Sequence, residues 1–316
     1  MKYFNLWLAL QQFITCHIIT KPMKTQAYIS SVLCFALFPF PQGVLKKHET
    51  GWENEQLKGR VKSCRILYYN AIIVSGNVSK SNNVPFEESY SLFDTRGNEI
   101  ESSDRNSSTH KNVKIISTYN STEYCTKTVK YEYNGKDTTI QVALHKYDDK
   151  GNEAETQLSL LSKTSSENGN GSLKAIYKYD VNGNLLQGNY IKGNDTTLPQ
   201  NVYTYDKQGN VTEDDFYNGS ENLQTRTINV YNVKGTKTER TDYWYNDGPA
   251  VVKKLVCQYD EHGNVIKGDE YDAVGTLLAN GSFKIYYDNV GNRIKQIEYI
   301  NNKPVFITEY KIIYYQ

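Results

Sequence analysis

The chain has 316 residues, 36 of them basic and 35 acidic for a net charge of +1, and 38% are hydrophobic against a mean hydropathy of −0.64. A balanced charge without any block of one sign excludes the basic footprint of a nucleic-acid binder. Aromatic residues at 13%, with 27 tyrosines in the chain, exclude a disordered chain and suit thin, half-solvated sheets, because a phenol buries a ring while keeping a hydroxyl for water.

Residues 1–43 differ from all that follows. Two apolar stretches, Tyr3–Thr20 and Ala27–Pro41, flank the polar run Lys21-Pro22-Met23-Lys24. The second has a basic start and an apolar core too short to span a bilayer, the pattern of a secretory signal. It predicts an exported product with Met23 as the effective start and no stable membrane span in the mature chain. The other reading, an anchor formed by the first stretch, is interrupted by Gln11, Gln12 and His17. Residues 44–56 read as a linker.

From 57 to 316 the chain repeats itself. An aromatic residue, Asp or Asn, two variable residues, Gly and usually Asn recur around Gly97, Gly151, Gly183, Gly209, Gly235, Gly263 and Gly291, the last five spaced by 26, 26, 28 and 28 residues. Degenerate copies are expected at Tyr119-Asn120 and near Tyr69-Asn70. The Asp oxygen closes the turn on backbone N–H groups, and glycine supplies the left-handed residue of a bulged hairpin loop. Before each turn the pattern alternates as in a strand, with Leu173, Ala175, Tyr177 and Tyr179 on one face and Lys174 and Lys178 on the other. A second, looser reversal follows about ten residues later in each period, as at Tyr217-Asn218-Gly219 and Tyr271–Gly275. The expected fold is all-β, an antiparallel β-meander of about eight tandem ~27-residue hairpin repeats and roughly sixteen strands, curled or spiralled, each unit covering the tyrosine face of the next.

Candidate chemistry is sparse. Cys64, Cys125 and Cys257 have no metal or disulfide spacing and read either as small buried residues or as one bridge plus a free thiol. His48, His110, His145 and His262 form no metal motif, and His262, at a variable turn position, is expected in solvent. The pairs Asp148-Asp149 and Asp214-Asp215 read as solvated charges beside turns, with no apolar cleft to raise either carboxyl. The Asp-x-x-Gly-Asn loop offers two or three oxygens where calcium takes six to eight. No enzyme, cofactor or metal is therefore expected. One ligand candidate stands out: Tyr243, Trp244 and Tyr245, amid Asp242, Asn246 and Asp247, could hold a sugar ring. The plainer reading puts Tyr243 and Tyr245 on the tyrosine face and turns Trp244 outward.

The Tyr-Asp-x-x-Gly-Asn units resemble the YD repeats of the RHS family of bacterial surface and secreted proteins, over about 57–316 and most clearly from 147 onward. The opening Leu57-Lys58-Gly59-Arg60-Val61-Lys62-Ser63 also looks like the start of short exported YD-like proteins of Bacteroidetes. That resemblance implies extracytoplasmic β-structure and carbohydrate or surface contact. Large members wind their repeats into a shell around a toxic C-terminal domain. Here the repeats run to Gln316 and the Pro- and Gly-rich segment that precedes the toxin is lacking, so the toxin role does not carry over. The expected function is a non-enzymatic exported protein, in the periplasm, on the cell surface or secreted. Its sheet would bind a glycan or another envelope protein. A shell around a partner is the second reading, and an envelope hydrolase is a third that no residue supports.

Overall fold

The computed structural model describes residues 50–107, 109, 111–135, 137–162, 172–192, 200–245 and 251–316. The export segment read over 1–43 lies outside them. The stretch 50–60 opens with a one-turn helix, α1 (Gly51–Asn54), whose capping box joins Thr50 and Glu53. Nineteen strands follow among the described residues. The first part of the wall is β1 (Val61–Val74), β2 (Asn77–Lys80), β3 (Glu87–Phe93), β4 (Glu99–Asn106), β5 (Lys111–Tyr119), β6 (Cys125–Asn134), β7 (Asp137–Tyr147), β8 (Glu153–Ser162), β9 (Ser172–Tyr179) and β10 (Leu185–Lys192). It continues through β11 (Gln200–Tyr205), β12 (Val211–Tyr217), β13 (Leu223–Tyr231), β14 (Lys237–Trp244), β15 (Val251–Tyr259), β16 (Val265–Asp272), β17 (Leu277–Tyr287), β18 (Arg293–Ile300) and β19 (Lys303–Tyr314).

Each strand from β3 to β19 pairs antiparallel with the next, and β1 pairs with both β19 and β3. The sheet therefore closes on itself as a barrel of eighteen strands, with β2 a short hairpin arm on the far end of β1. An open meander would have left two edges of unpaired backbone groups, and closure removes them. The curled or spiralled meander expected from the sequence is thus corrected to a closed barrel, and the expected sixteen strands were too few. The copy expected at Tyr69-Asn70 is absent, since both residues lie in the middle of β1.

One rim carries eight reversals of a single design. In the loop after β9, Asp180 Oδ1 accepts from the N–H groups of Asn182 and Asn184 at 2.8 Å each, and Asn184 Nδ2 donates to Asp180 Oδ2 at 2.8 Å. Burial pulls the Asp180 carboxyl upward, but the hydrogen bonds from Asn184, Asn182 and Gly183 outweigh it and hold it below the usual range. Gly183 stands at φ +85°, and Glu123 takes the same left-handed conformation at φ +71° where Asn120 opens the turn.

Five tyrosines that close descending strands tie neighbouring hairpins together. Each hydroxyl donates to the carbonyl of the residue that opens an earlier ascending strand: Tyr119 to Glu99 at 2.9 Å, Tyr147 to Cys125 at 2.8 Å, Tyr179 to Glu153 at 2.7 Å, Tyr205 to Leu185 at 2.6 Å and Tyr231 to Val211 at 2.8 Å.

A ninth turn at this rim is split between distant parts of the chain. Tyr314 pairs with Val61 as Tyr179 pairs with Leu185, and both pairs sit beside a register shift. The N–H of Tyr315 donates to the Arg60 carbonyl at 2.8 Å, as that of Asp180 donates to Asn184 at 2.9 Å. Gly59, at φ +78°, takes the place of Gly183. Asn292 locks the neighbouring turn to this seam: its Oδ1 accepts from Lys58 N at 2.7 Å, and its Nδ2 donates to the Lys58 carbonyl at 2.8 Å. Inside the seam Val61, Cys64 and Phe93 pack with Trp52, Leu57 and Tyr310, while outside Leu67, Tyr69, Ile297 and Ile307 pack under Ala71 and Val78.

Candidate functional site

Cross-strand partners share a face of a sheet and successive residues alternate, so the register carries a single face around the whole ring. Starting from Cys64, it passes through Ser91, Ser102, Ile115, Lys130 and Gln141. Further round it includes Ala175 with Tyr190, then Tyr203, Asp214, Thr227, Asp242 and Lys253. It returns through Leu255 with Glu270, Phe283 with Glu298 and Phe306, and Tyr310 with Ile66. This face holds Lys130, Gln141, Asp242, Glu270, Gln296 and Glu298, all buried, whereas its opposite bears exposed residues such as Arg65, Lys127, Leu144, Lys178 and Lys284. It is the inner wall.

The wall of β11–β16 concentrates polar groups among rings. One transverse row runs Tyr203, Asp214, Thr227, Asp242, Lys253, and the next toward the far rim runs Asn201, Phe216, Thr225, Trp244. Arg240 Nε lies 2.8 Å from Asp242 Oδ1, Thr227 Oγ1 donates to the same oxygen at 2.7 Å, and Lys253 Nζ lies 2.8 Å from Glu270. Burial, with Asp215 and Asp242 nearby, pushes the Asp214 carboxyl up to about 6, against the pull of Asn201 and Arg240. Burial and Arg240 bring the Lys237 ammonium down to about 8. Elsewhere on the wall burial alone raises Glu298 to about 8, and burial chiefly raises Glu99 to about 7.

The sequence reading placed several of these residues wrongly. Asp214 and Asp215 lie within β12 rather than beside a turn. Asp214 faces inward, and Asp215 faces outward, where Arg226 grips it with two hydrogen bonds of 2.8 and 2.7 Å. Trp244 is on the inner wall and Tyr243 on the outer face, the reverse of the plainer expectation, since Trp244 shares register with Thr225 while Tyr243 pairs with Arg226. Tyr243 stacks on Tyr245 with ring centroids 6.5 Å apart. The three aromatics therefore do not form one platform. Asn246 and Asp247 lie outside the described residues. His262 is exposed as a residue, yet its ring rests 4.3 Å from that of Tyr287.

His145 is also less isolated than its sequence context suggests. Its Nδ1 lies 2.8 Å from Glu153 Oε1 and its Nε2 3.2 Å from Thr128 Oγ1, a chain that satisfies a half-buried imidazole inside the wall. Cys64, Cys125 and Cys257 are free, and burial chiefly pushes their thiols up, Cys64 to about 12 and Cys125 to about 11. No group of acidic, His and Cys side chains among the described residues is arranged to hold a metal ion.

No protein-family profile matches the chain, and no curated protein matches it. Among solved structures it is similar to a porin-like protein from Bacteroides uniformis ATCC 8492, at 8% identity over 81% of this chain and 98% of that one, with a TM-score of 0.37. A porin-like protein from Bacteroides vulgatus ATCC 8482 matches at 14% identity over 81% and 98% with a TM-score of 0.30. A TcdB2-TccC3 protein without its hypervariable C-terminal region matches at 12% identity, over 69% of this chain and 15% of that one, with a TM-score of 0.27. All three superpose poorly.

Proposed function

We propose that the chain is an exported, non-enzymatic binding barrel that works in water and holds an extended polar ligand of the glycan class against its inner wall. The observation that carries this reading is the contrast between two faces of one closed sheet. A barrel of eighteen strands is wide enough to leave an interior lumen between its inward side chains. Into it project rings beside hydroxyl, amide, carboxylate and ammonium groups: Tyr203, Phe216 and Trp244 beside Thr225, Thr227, Asp242 and Lys253. Such a wall can stack a sugar ring and hydrogen-bond its hydroxyls.

The outer face favours water over lipid. A membrane barrel presents an apolar outer band about 25 Å tall, and Arg or Lys at its midplane costs roughly 2–4 kcal/mol. Here cross-strand ion pairs encircle the outside: Arg65–Glu88, Lys114–Glu101, Lys146–Glu155–Lys174, Arg226–Glu213 and Lys254–Glu239. Among the described residues no helix is long and apolar enough to cross a membrane.

A glycan array probed with the purified chain tests the ligand class. Trp244 is one of three tryptophans, so a ligand on this wall quenches fluorescence in the parent chain and less so in Trp244→Phe. Silence across the array together with capture of a polypeptide in a pull-down would replace this reading with the shell around a partner, which closure of the sheet also favours. Stable insertion into liposomes would overturn both.

A further inference from the structure

Among the described residues, the carboxylates of the β11–β16 wall are matched one by one, with Asp214 left over. Asp242 accepts from Thr227 at 2.7 Å and faces Arg240 at 2.8 Å, while Glu270 faces Lys253 at 2.8 Å. Asp272 closes the turn after β16, and Asp215 is gripped by Arg226 on the opposite face. Asp214 has no such partner. Asn201 Nδ2 stands 3.4 Å from its Oδ1, a long contact to a neutral amide, and it makes no ion pair among the described residues. Lys237, an ammonium likewise without an ion pair among them, sits at the turn end of β14 opposite Tyr231, outside the ringed rows.

Register fixes the surroundings of Asp214. Tyr203 and Thr227 lie directly across from it on either side, and Phe216 is the next inward residue along β12. Phe216 leads on to Thr225 and Trp244 in the adjoining row. The titratable groups that share its field are Tyr190, Tyr203 and Tyr205 from β10 and β11, Asp215 on its own strand, and Lys237, Arg240 and Asp242 from β14. Burial leads the forces that lift its carboxyl to about 6, so at neutral pH it is an ionised group in a partly dry, aromatic setting. A sugar hydroxyl could offer this carboxylate only a neutral donor. An ammonium offers a charge-assisted one, and the neighbouring ring faces attract the same cation.

We propose that the glycan held on this wall contains amino sugars, with a ring ammonium on Asp214 beside Tyr203 and Phe216. This inference rests on the inner-wall reading and narrows its ligand. Titration calorimetry of the full chain at pH 7 tests it with tetrasaccharides of glucosamine, N-acetylglucosamine and glucose. All share one β-1,4-linked frame and differ at the second carbon, which bears an amine, an acetamide or a hydroxyl. The glucosamine tetramer should bind at least about tenfold tighter than the glucose tetramer. Asp214→Asn keeps the shape without the charge and should bring those two affinities within about threefold of each other. If that variant fails to fold, the parent is compared at pH 7 and pH 5, where Asp214, at about 6, takes up its proton and the preference should fall at least threefold. Equal binding of all three tetramers would overturn the amino-sugar inference and leave the inner-wall reading standing. A preference that survives in Asp214→Asn, or in the parent at pH 5, would overturn the assignment to Asp214. Binding of none would overturn the inference and, together with a silent glycan array, the wall reading beneath it.

Discussion

Glu298 offers the sharpest test of how this barrel is held together. It is 3% exposed on the inner wall, with Phe283 and Phe306 as cross-strand neighbours and no hydrogen bond or ion pair among the described residues. Burial lifts its carboxyl from 4.5 to about 8. Between those two values the folded chain keeps a proton that the unfolded chain has released, so stability falls as pH rises through that window. Below it the cost is absent, and above it the cost is fully present. At about 1.4 kcal/mol per pH unit, the whole interval is worth of order 5 kcal/mol. Glu298→Gln has nothing to titrate, so at pH 9 it should exceed the parent by roughly 3–5 kcal/mol and at pH 4 lie within about 1 kcal/mol of it. Urea unfolding of both chains from pH 4 to 9 measures this. Asp214 and Glu99, raised to about 6 and about 7, act in both chains and cancel in the difference. Parallel curves across the window would refute a buried, unpaired carboxyl at this position.

Other outcomes follow from the turns and the seam. Tyr179→Phe removes the hydroxyl that donates to the Glu153 carbonyl and should cost about 1 kcal/mol in chemical denaturation. Gly151→Ala should cost more than Gly263→Ala, because a Cβ at 151 would strike the Tyr124 hydroxyl whereas the one at 263 meets open space. Gly263→Ala carries only the left-handed penalty of about 1–2 kcal/mol, and the reverse ranking would discredit the turn geometry. Asn292→Ala breaks bonds to Lys58 N, the Lys58 carbonyl and the Tyr314 hydroxyl, and should lower the melting temperature further than Asn210→Ala, which loses a side-chain bond within its own turn.

Much of the sheet was legible because its signals are local. Asp180, Gly183 and Asn184 announce a reversal within five residues, and Leu173, Ala175 and Tyr177 announce a face by alternation. Closure was not legible, because it depends on Val61 meeting Tyr314, and neither residue carries a mark of its distant partner. The inner wall was missed for a related reason. Asp214, Arg240, Asp242, Lys253 and Glu270 look like solvent-facing charges in a polar chain, and only register shows that they share a face with Tyr203 and Leu255. Alternation held the clue for Trp244, whose parity matches Asp242 and opposes Tyr243. The short run of aromatics obscured it.

The split turn also bears on the order of events as the chain folds. Eight reversals join residues a few positions apart and can form early, each on its own. The ninth must bring together segments some 250 positions apart, between Gly59 and Tyr315, and such long-range closure is slow. Until it happens β1 and β19 expose their backbone groups, ready to zip onto the matching strand of another molecule. Refolding at high protein concentration should therefore yield exchanged dimers, in which the arm of one subunit completes the ring of its twin, while dilute refolding returns the monomer.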